Sequence, residues 1–189
     1  MEAEIVGKVA DKVLDDPAGT ASWTFDYAGG YIKGFEDLFG GADKLEDRHR
    51  SLQLTLANAT KHDLLLDENY FDSGTWYHSF PARIKAGDVV IGFVANSQGS
   101  VLTGVSGGLG LRLEGTNVCL GLGFTNPQFG SYKLSAILLP DFNDIGEKAY
   151  NQAEDNYAKR ADLEGFELQA RQIPSHYAMM GFAYSLARL

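Results

Sequence analysis

Residues 70–82 read YFDSGTWYHSFPA, which sets a carboxylate, three hydroxyls and an imidazole among five large aromatic rings. These side chains suit recognition. Carboxylates and hydroxyls hydrogen-bond a polar ligand, ring faces attract cations, and amphipathic rings seat a protein at a lipid headgroup layer. The plainer reading is that Tyr70, Phe71 and Trp76 flank the core at one end of a sheet structure. Covalent chemistry has less support. His49, His62, His78 and His176 are isolated from one another, without the i, i+4 spacing of a zinc site. The glycine-rich GGLGLRL at 107–113 continues as an alternating strand, whereas a dinucleotide fingerprint opens a helix. Asp141, Asp144, Glu147 and Glu154 read as loop and helix-face charges. The only cysteine, Cys119, sits in the apolar run NVCLGLGF and reads as a small buried hydrophobe, so no internal disulfide forms. The expectation is a binding protein, not an enzyme, with no metal or cofactor.

The chain has 189 residues, enough for one domain with a proper core and short for two. Its net charge of −9, with no basic stripe, excludes a general nucleic-acid binder. The same deficit opposes attraction to anionic lipid, so a membrane partner has to be recognised through neutral headgroups or apolar insertion. No run approaches the ~18 apolar residues of a spanning helix. The N-terminus MEAEIVGK lacks a basic stretch followed by an apolar one. A soluble protein without a signal peptide, or a mature secreted form, is expected.

The elements that position the candidate residues change character near residue 50. Ile5, Val6, Val9 and Val13 follow a helical period until Pro17. A second helix is expected over 22–39, capped by Ser22 or Thr24 and ended by Gly40-Gly41. Its Gly29, Gly30 and Gly34 each cost about 1 kcal/mol relative to alanine, so it needs a surface to lie on. After residue 50 the period is two. SLQLTLA (51–57) alternates cleanly, and strands are further expected at 62–70, 82–86, 88–95, 108–113, 117–124, 131–139, 166–172 and 177–187. Short strands punctuated by turns at this spacing predict a mainly β fold, an antiparallel β-sandwich flanked by helices. One helix, 144–160, interrupts it with Ile145, Ala149, Tyr150, Ala153 and Tyr157 in a stripe. An amphipathic helical segment over 1–41 and a sandwich over 51–189 complete the expected organisation.

The order YFDSGT, Pro81, Gly87, Gly99 and TGVSG (103–107), followed by NVCLGLGFTNP (117–127), resembles the central part of the actinoporins, the pore-forming cytolysins of sea anemones. The motifs cover roughly 51–160, and fungal fruit-body lectins share the same sandwich. The resemblance implies a site for phosphocholine headgroups built from rings and hydroxyls. It also implies an amphipathic N-terminal helix that detaches and lines an oligomeric pore. On the matching positions, the hydroxyl of the Ser-Gly-Thr turn is Ser73, the position before the second glycine of the Thr-Gly motif is Ser106, Ser-x-Pro becomes Thr125-Asn126-Pro127, and the helix tyrosine is Tyr150. Three departures imply altered headgroup specificity. The arginine before Ser-Gly-Thr is Asp72, a tyrosine pair is replaced by Glu154 and Asp155, and a long tryptophan-rich loop shrinks to residues 128–132.

The resulting expectation is a membrane-binding cytolysin that self-associates on membranes. Its headgroup site, for a choline-containing or other lipid, comprises Asp72, Ser73, Trp76, Tyr77, Ser106, Thr125, Pro127, Phe129, Tyr132 and Tyr150. Its inserting residues are Trp23, Phe25, Tyr27, Tyr31, Ile32, Phe35, Leu38 and Phe39. The alternative is a lectin-like module in which Asp72, Thr125 or Asn126 holds sugar hydroxyls and one ring stacks on the glycan.

Overall fold

In the computed structural model of the chain, the described residues are 5–8, 17–31, 45, 48–174 and 180–189. Alternating apolar residues build two sheets whose inner faces meet. The larger has seven strands in the order β1 (Ile5–Lys8), β6 (Asp88–Ala95), β2 (Ser51–Ala59), β12 (Met180–Arg188), β11 (Phe166–Pro174) and β10 (Ala158–Leu163), with β4 (Thr75–His78) also paired to β6. The smaller has five, in the order β5 (Arg83–Ile84), β3 (Leu64–Ser73), β7 (Val105–Leu113), β8 (Cys119–Asn126) and β9 (Lys133–Leu139). All pairings are antiparallel except that of β2 with β12. Leu52, Leu54 and Leu56 of β2 face Leu109, Leu111, Leu120, Leu122 and Phe124 of the smaller sheet across one core. The fully buried Tyr184 hydroxyl crosses that core and donates to the Gly123 carbonyl at 2.9 Å. Burial pushes this phenol's pKa far up, because the phenolate would have no water. A β-sandwich is what the alternation predicts.

One helix lies on each outer face. Helix α1 (Pro17–Tyr31) packs on β12, β11 and β2. Helix α2 (Ile145–Asn151) packs on β7 and β8. The seat of α2 is made by glycine. Across β7 and β8, Gly108 pairs with Gly123 and Gly110 with Gly121, and all four turn away from the core. A Cβ on Gly108 would stand 2.0 Å from the Gly146 carbonyl oxygen, and one on Gly123 would stand 2.3 Å from that of Ala149. The helix backbone therefore rests directly on the strand backbone.

Three sequence expectations are corrected. The helical period at residues 5–13 does not hold over Ile5–Lys8, which form a strand antiparallel to Asp88–Ile91. Its β-branched residues complete the β6 ladder, and pairing outweighs the period. Pro17 opens α1 instead of stopping a helix, as a residue without an amide donor can at a first turn. Ser22 and Thr24, read as caps, lie inside α1. The expected helix over 144–160 ends at Asn151. There the chain turns to exchange backbone hydrogen bonds between Glu154 and Leu134 of β9, and 158–163 becomes the strand β10. Polar strand residues carry this edge, with Arg160 paired to Glu167 at 2.5 Å.

Replacing Gly123 with alanine should destabilise the fold by about 1–3 kcal/mol through overpacking. Urea denaturation reads this directly, and an unchanged midpoint would mean that α2 does not bear on this face.

Candidate functional site

Both ends of α2 are tied to the sheet beneath. At its start the Glu68 carboxylate of β3 accepts from the amides of Gly146 at 3.0 Å and Glu147 at 3.4 Å. At its end the buried Ser135 hydroxyl of β9 donates to the Ala149 carbonyl at 2.6 Å. These ties carry Tyr150 to the edge of the helix footprint. Its ring lies 5.4 Å from that of Tyr70, tilted by 38°.

Just beyond α2 the outer face of the smaller sheet is uncovered. A single cross-strand row runs there: Ser106 opposite Thr125, and Thr125 opposite Lys133. On the β3 side, bulged at this point, Asp72 reaches the row, and its carboxylate accepts from the Ser106 hydroxyl at 3.1 Å. Asp72 and Lys133 are exposed, Thr125 is half-buried and Ser106 is buried. Tyr150 leans into hydrogen-bonding reach of both Asp72 and Ser106. Burial first, and the Asp72 carboxylate second, push its phenol above the usual tyrosine pKa. Desolvation, Glu147 and Asp72 push Tyr70 the same way. The cluster is thus polar, aromatic and acidic at the Asp72 end, with a lysine at the other. Among the described residues Lys133 has no carboxylate within ion-pair distance.

The remaining predicted residues are placed elsewhere by a change of sheet. The chain leaves β3 at Ser73 and enters β4 of the larger sheet at Thr75, through Gly74 with φ +83°. A side chain at Gly74 would stand 2.7 Å from the Ala95 carbonyl oxygen, so only glycine fits the crossing. This crossing explains the crowd of rings. Tyr70 turns outward to Tyr150. Phe71 turns inward and meets Trp76 and Phe124 edge-on, each at 5.9 Å. Trp76 packs on Phe80, and its indole N–H donates to Asn69 Oδ1 at 2.8 Å. Tyr77 lies beneath the Arg48 guanidinium. The Ser73 hydroxyl donates to the Gly104 carbonyl at 2.9 Å. So Asp72, Ser106, Thr125 and Tyr150 come together, and Trp76, Tyr77 and the Ser73 hydroxyl do not join them.

Two loops project from the end of the row. Residues 97–104 lead into β7, and residues 127–132 join β8 to β9. They are locked to each other. Gly104 lies against Asn126, Pro127 and Gln128, and the Gln128 side chain donates to the Val101 carbonyl at 3.4 Å. The buried Asn126 side chain, a sugar-binding candidate, instead donates to the Ser51 carbonyl at 3.0 Å. Pro127 is half-buried, and Tyr132 packs on the core. At the tip, Val101, Leu102 and Phe129 are 60%, 77% and 85% exposed.

Of the residues expected to insert, Trp23 and Phe25 are half-buried between α1 and the larger sheet. Arg171 stacks between Phe25 at 5.6 Å and Tyr157 at 4.8 Å. Tyr27 and Tyr31 fall within α1, but their side chains lie outside the described residues, as do Ile32, Phe35, Leu38 and Phe39. Sequence reasoning missed Tyr70 and Lys133 as parts of the row. Strand alternation carried the signal: Glu68 and Tyr70 share the face that Phe71 leaves, and Lys133 shares that of Ser135.

No family model matches the chain, and no curated protein matches its sequence. Among solved structures, the lipid binding protein Nakanori superposes over 98% of this chain and 100% of its own, with a TM-score of 0.68 and 12% identity. The chain has Nakanori's fold. The Xerocomus chrysenteron lectin XCL matches 72% of this chain and 99% of its own, with a TM-score of 0.46 and 12% identity. At such identity Nakanori establishes the architecture alone, and the row of side chains is argued from its own geometry.

The Tyr150 proton is held more tightly in the folded protein than in the unfolded chain. Its stabilising contribution is therefore complete below about pH 10 and is lost as pH rises through the folded value. Asp72→Asn removes one cause, so the Tyr150 titration should move to lower pH. NMR of ring-labelled tyrosine, assigned with Tyr150→Phe, measures this. An unmoved titration would mean that the carboxylate does not act on the phenol.

Proposed function

We propose that this protein binds a lipid headgroup in the row from Asp72 to Lys133 and then inserts its N-terminal segment to form an oligomeric pore, as the resemblance to actinoporins implies. The observation that carries the reading is the common location of the row and the apolar tip. A polar, half-open row bearing both charges stands at the base of two mutually locked loops that expose Val101, Leu102 and Phe129. A headgroup in the row places those three side chains at the depth of the acyl boundary, where burial of each larger one contributes about 1.5–3 kcal/mol. Nakanori, which shares the architecture, is described as a lipid binding protein. No covalent step is needed, and the net charge of −9 favours a zwitterionic surface over an anionic one.

The seat of α1 supports release of that helix. The larger sheet presents mostly small or polar side chains to it, Gln53, Thr55, Ala57, Ala183 and Ser185, with Val89 and Ile173 as the larger apolar ones. The Gln53 amide donates to the Ala28 carbonyl at 3.2 Å, a bond that water replaces readily. Departure of α1 would therefore wet a largely polar surface, together with Val89 and Ile173, and leave the leucine core closed. No helix among the described residues is long and apolar enough to cross a membrane. The 15 residues of α1 reach about 22 Å, short of the ~30 Å hydrocarbon layer, so a pore requires residues beyond Tyr31 as well.

Dye release from liposomes of varied headgroup and sterol content tests the reading. Joining α1 to its seat through Ala28→Cys and Ala183→Cys should abolish release when oxidised and restore it on reduction, with vesicle binding unchanged. Release by the oxidised form would rule out detachment of α1. Leu102→Glu and Phe129→Glu should each weaken vesicle binding by about ten- to hundredfold. Absence of binding to every lipid mixture sinks the reading, and a glycan array then tests the row as a sugar site.

A further inference from the structure

We propose that the row selects a phospholipid headgroup with a primary ammonium, of the ethanolamine type, laid with its nitrogen at Asp72 and its phosphate towards Lys133. This inference rests on the headgroup reading above and names the chemistry that the row would accept.

The order of charges sets the direction. Asp72 stands at the β3 end of the row and Lys133 at the β9 end, with the Ser106 and Thr125 hydroxyls between them. Three strand spacings separate these ends by about 14 Å at the backbone. The four-carbon stem of Lys133 is long enough to close much of that distance, which leaves a gap that suits a phosphate and an amine joined by two carbons. A carboxylate attracts the cationic end, and Lys133, which pairs with no carboxylate among the described residues, attracts the anionic one. The hydroxyl of Thr125 lies beside the phosphate and can donate to it.

The form of the cation follows from the groups around Asp72. A quaternary ammonium has no N–H and is held by the open faces of several rings. Among the described residues the rings beside Asp72 are Tyr70 and Tyr150, tilted by 38° with centroids 5.4 Å apart. No cation fits between the two rings at that separation. Trp76, the other large ring of this stretch, is engaged with Phe71 and Phe80. What the site does offer is hydrogen-bond acceptors. One oxygen of the Asp72 carboxylate takes the Ser106 hydroxyl at 3.1 Å, and the residue is exposed. The Tyr150 oxygen lies beside it, and the Glu147 carboxylate acts on Tyr70. A primary ammonium brings three N–H donors to these acceptors. A trimethylated nitrogen brings none and would strip water from Asp72 without replacing it.

Vesicle flotation with the full chain tests this. The vesicles share one phosphatidylcholine base, doped with phosphatidylethanolamine or its mono-, di- and trimethylated forms. Binding should be tightest for the primary amine and fall stepwise with methylation, by about ten- to hundredfold in total. Asp72→Asn should erase the preference, and Lys133→Gln should weaken binding to all four lipids about equally. Free O-phosphoethanolamine should displace the protein from vesicles, and phosphocholine should not. Equal or tighter binding to the trimethylated lipid would overturn the inference and leave the headgroup site standing. A preference that survives Asp72→Asn would come from lipid packing and would overturn it too. Failure to bind any of the four lipids would overturn both the inference and the headgroup reading.

Discussion

The contact between α2 and the β7–β8 ladder has no space for a Cβ on either glycine pair, and the geometry of the site depends on that contact. Leucines at alternate positions of the same strands fill the core, so one alternating pattern serves two surfaces: leucine inward, glycine outward. Because α2 lies flat on backbone, Glu68 and Ser135 can tie both its ends with short hydrogen bonds. Its seven residues would not hold a helix in isolation. Packing and ties together fix Tyr150, and Tyr150 marks the boundary between covered sheet and open row. A larger side chain at Gly108 or Gly123 would lift the helix and move the phenol away from Asp72.

A second constraint distributes the rings. With β3 in one sheet and β4 in the other, the crossing at Gly74 closes that edge of the sandwich and sends neighbouring side chains in different directions. Phe71, Trp76 and Phe80 seal the core there, while Tyr70 and Asp72 remain outside with Tyr150 and Ser106. Electrostatics divides the smaller sheet along the other axis. At the end remote from the row, Arg83 donates to both oxygens of Glu114, at 2.6 and 3.1 Å, and to Asp63 at 2.9 Å. Arg112 is engaged by Asp67. The Arg83 guanidinium holds the Glu114 carboxyl below its ordinary range, and the Ala86 amide together with Arg83 does so for Asp63. Those arginines are spent within the fold. Near the row, no arginine among the described residues pairs with Asp72 or Glu147.

Much of this architecture was legible in the sequence because period-two leucines bury one face of a strand wherever it lies. Strands β2, β3, β6, β7, β8, β9, β11 and β12 follow from that pattern, with ends displaced by a few residues. Strand β10 was hidden because AKRADL carries charges that suit a helix face equally well, and only its pairing with β11 decides between the two. Strand β4 was hidden inside what reads as a turn, since nothing local announces that Ser-Gly-Thr changes sheets. In the site, Asp72, Ser106, Thr125 and Tyr150 were legible from their order along the chain. Their union with Tyr70 and Lys133 was not, because it depends on bulges in β3 and on where α2 lands. Contacts between elements distant in sequence leave no mark on local periodicity.

The two helices also differ in what they rest upon. Helix α2 sits on glycine backbone at a distance that excludes water, and it is tied at both ends to the sheet. Lifting it would leave the Glu68 carboxylate, the Ser135 hydroxyl and a strip of bare strand backbone without their partners. Helix α1 sits mostly on alanine, threonine, glutamine and serine, with Val89 and Ile173 packed beneath Trp23, Phe25 and Ala28. One of its anchors is the Arg171 guanidinium between Phe25 and Tyr157, at the margin of the seat where Tyr157 is 54% exposed. Cation–ring contacts at such exposed positions contribute about 0.5–1 kcal/mol, far less than a packed core side chain. Helix α1 packs on β12, β11 and β2 of the larger sheet, whereas the row and Tyr150 stand on the smaller one, so the leucine core separates the first helix from both.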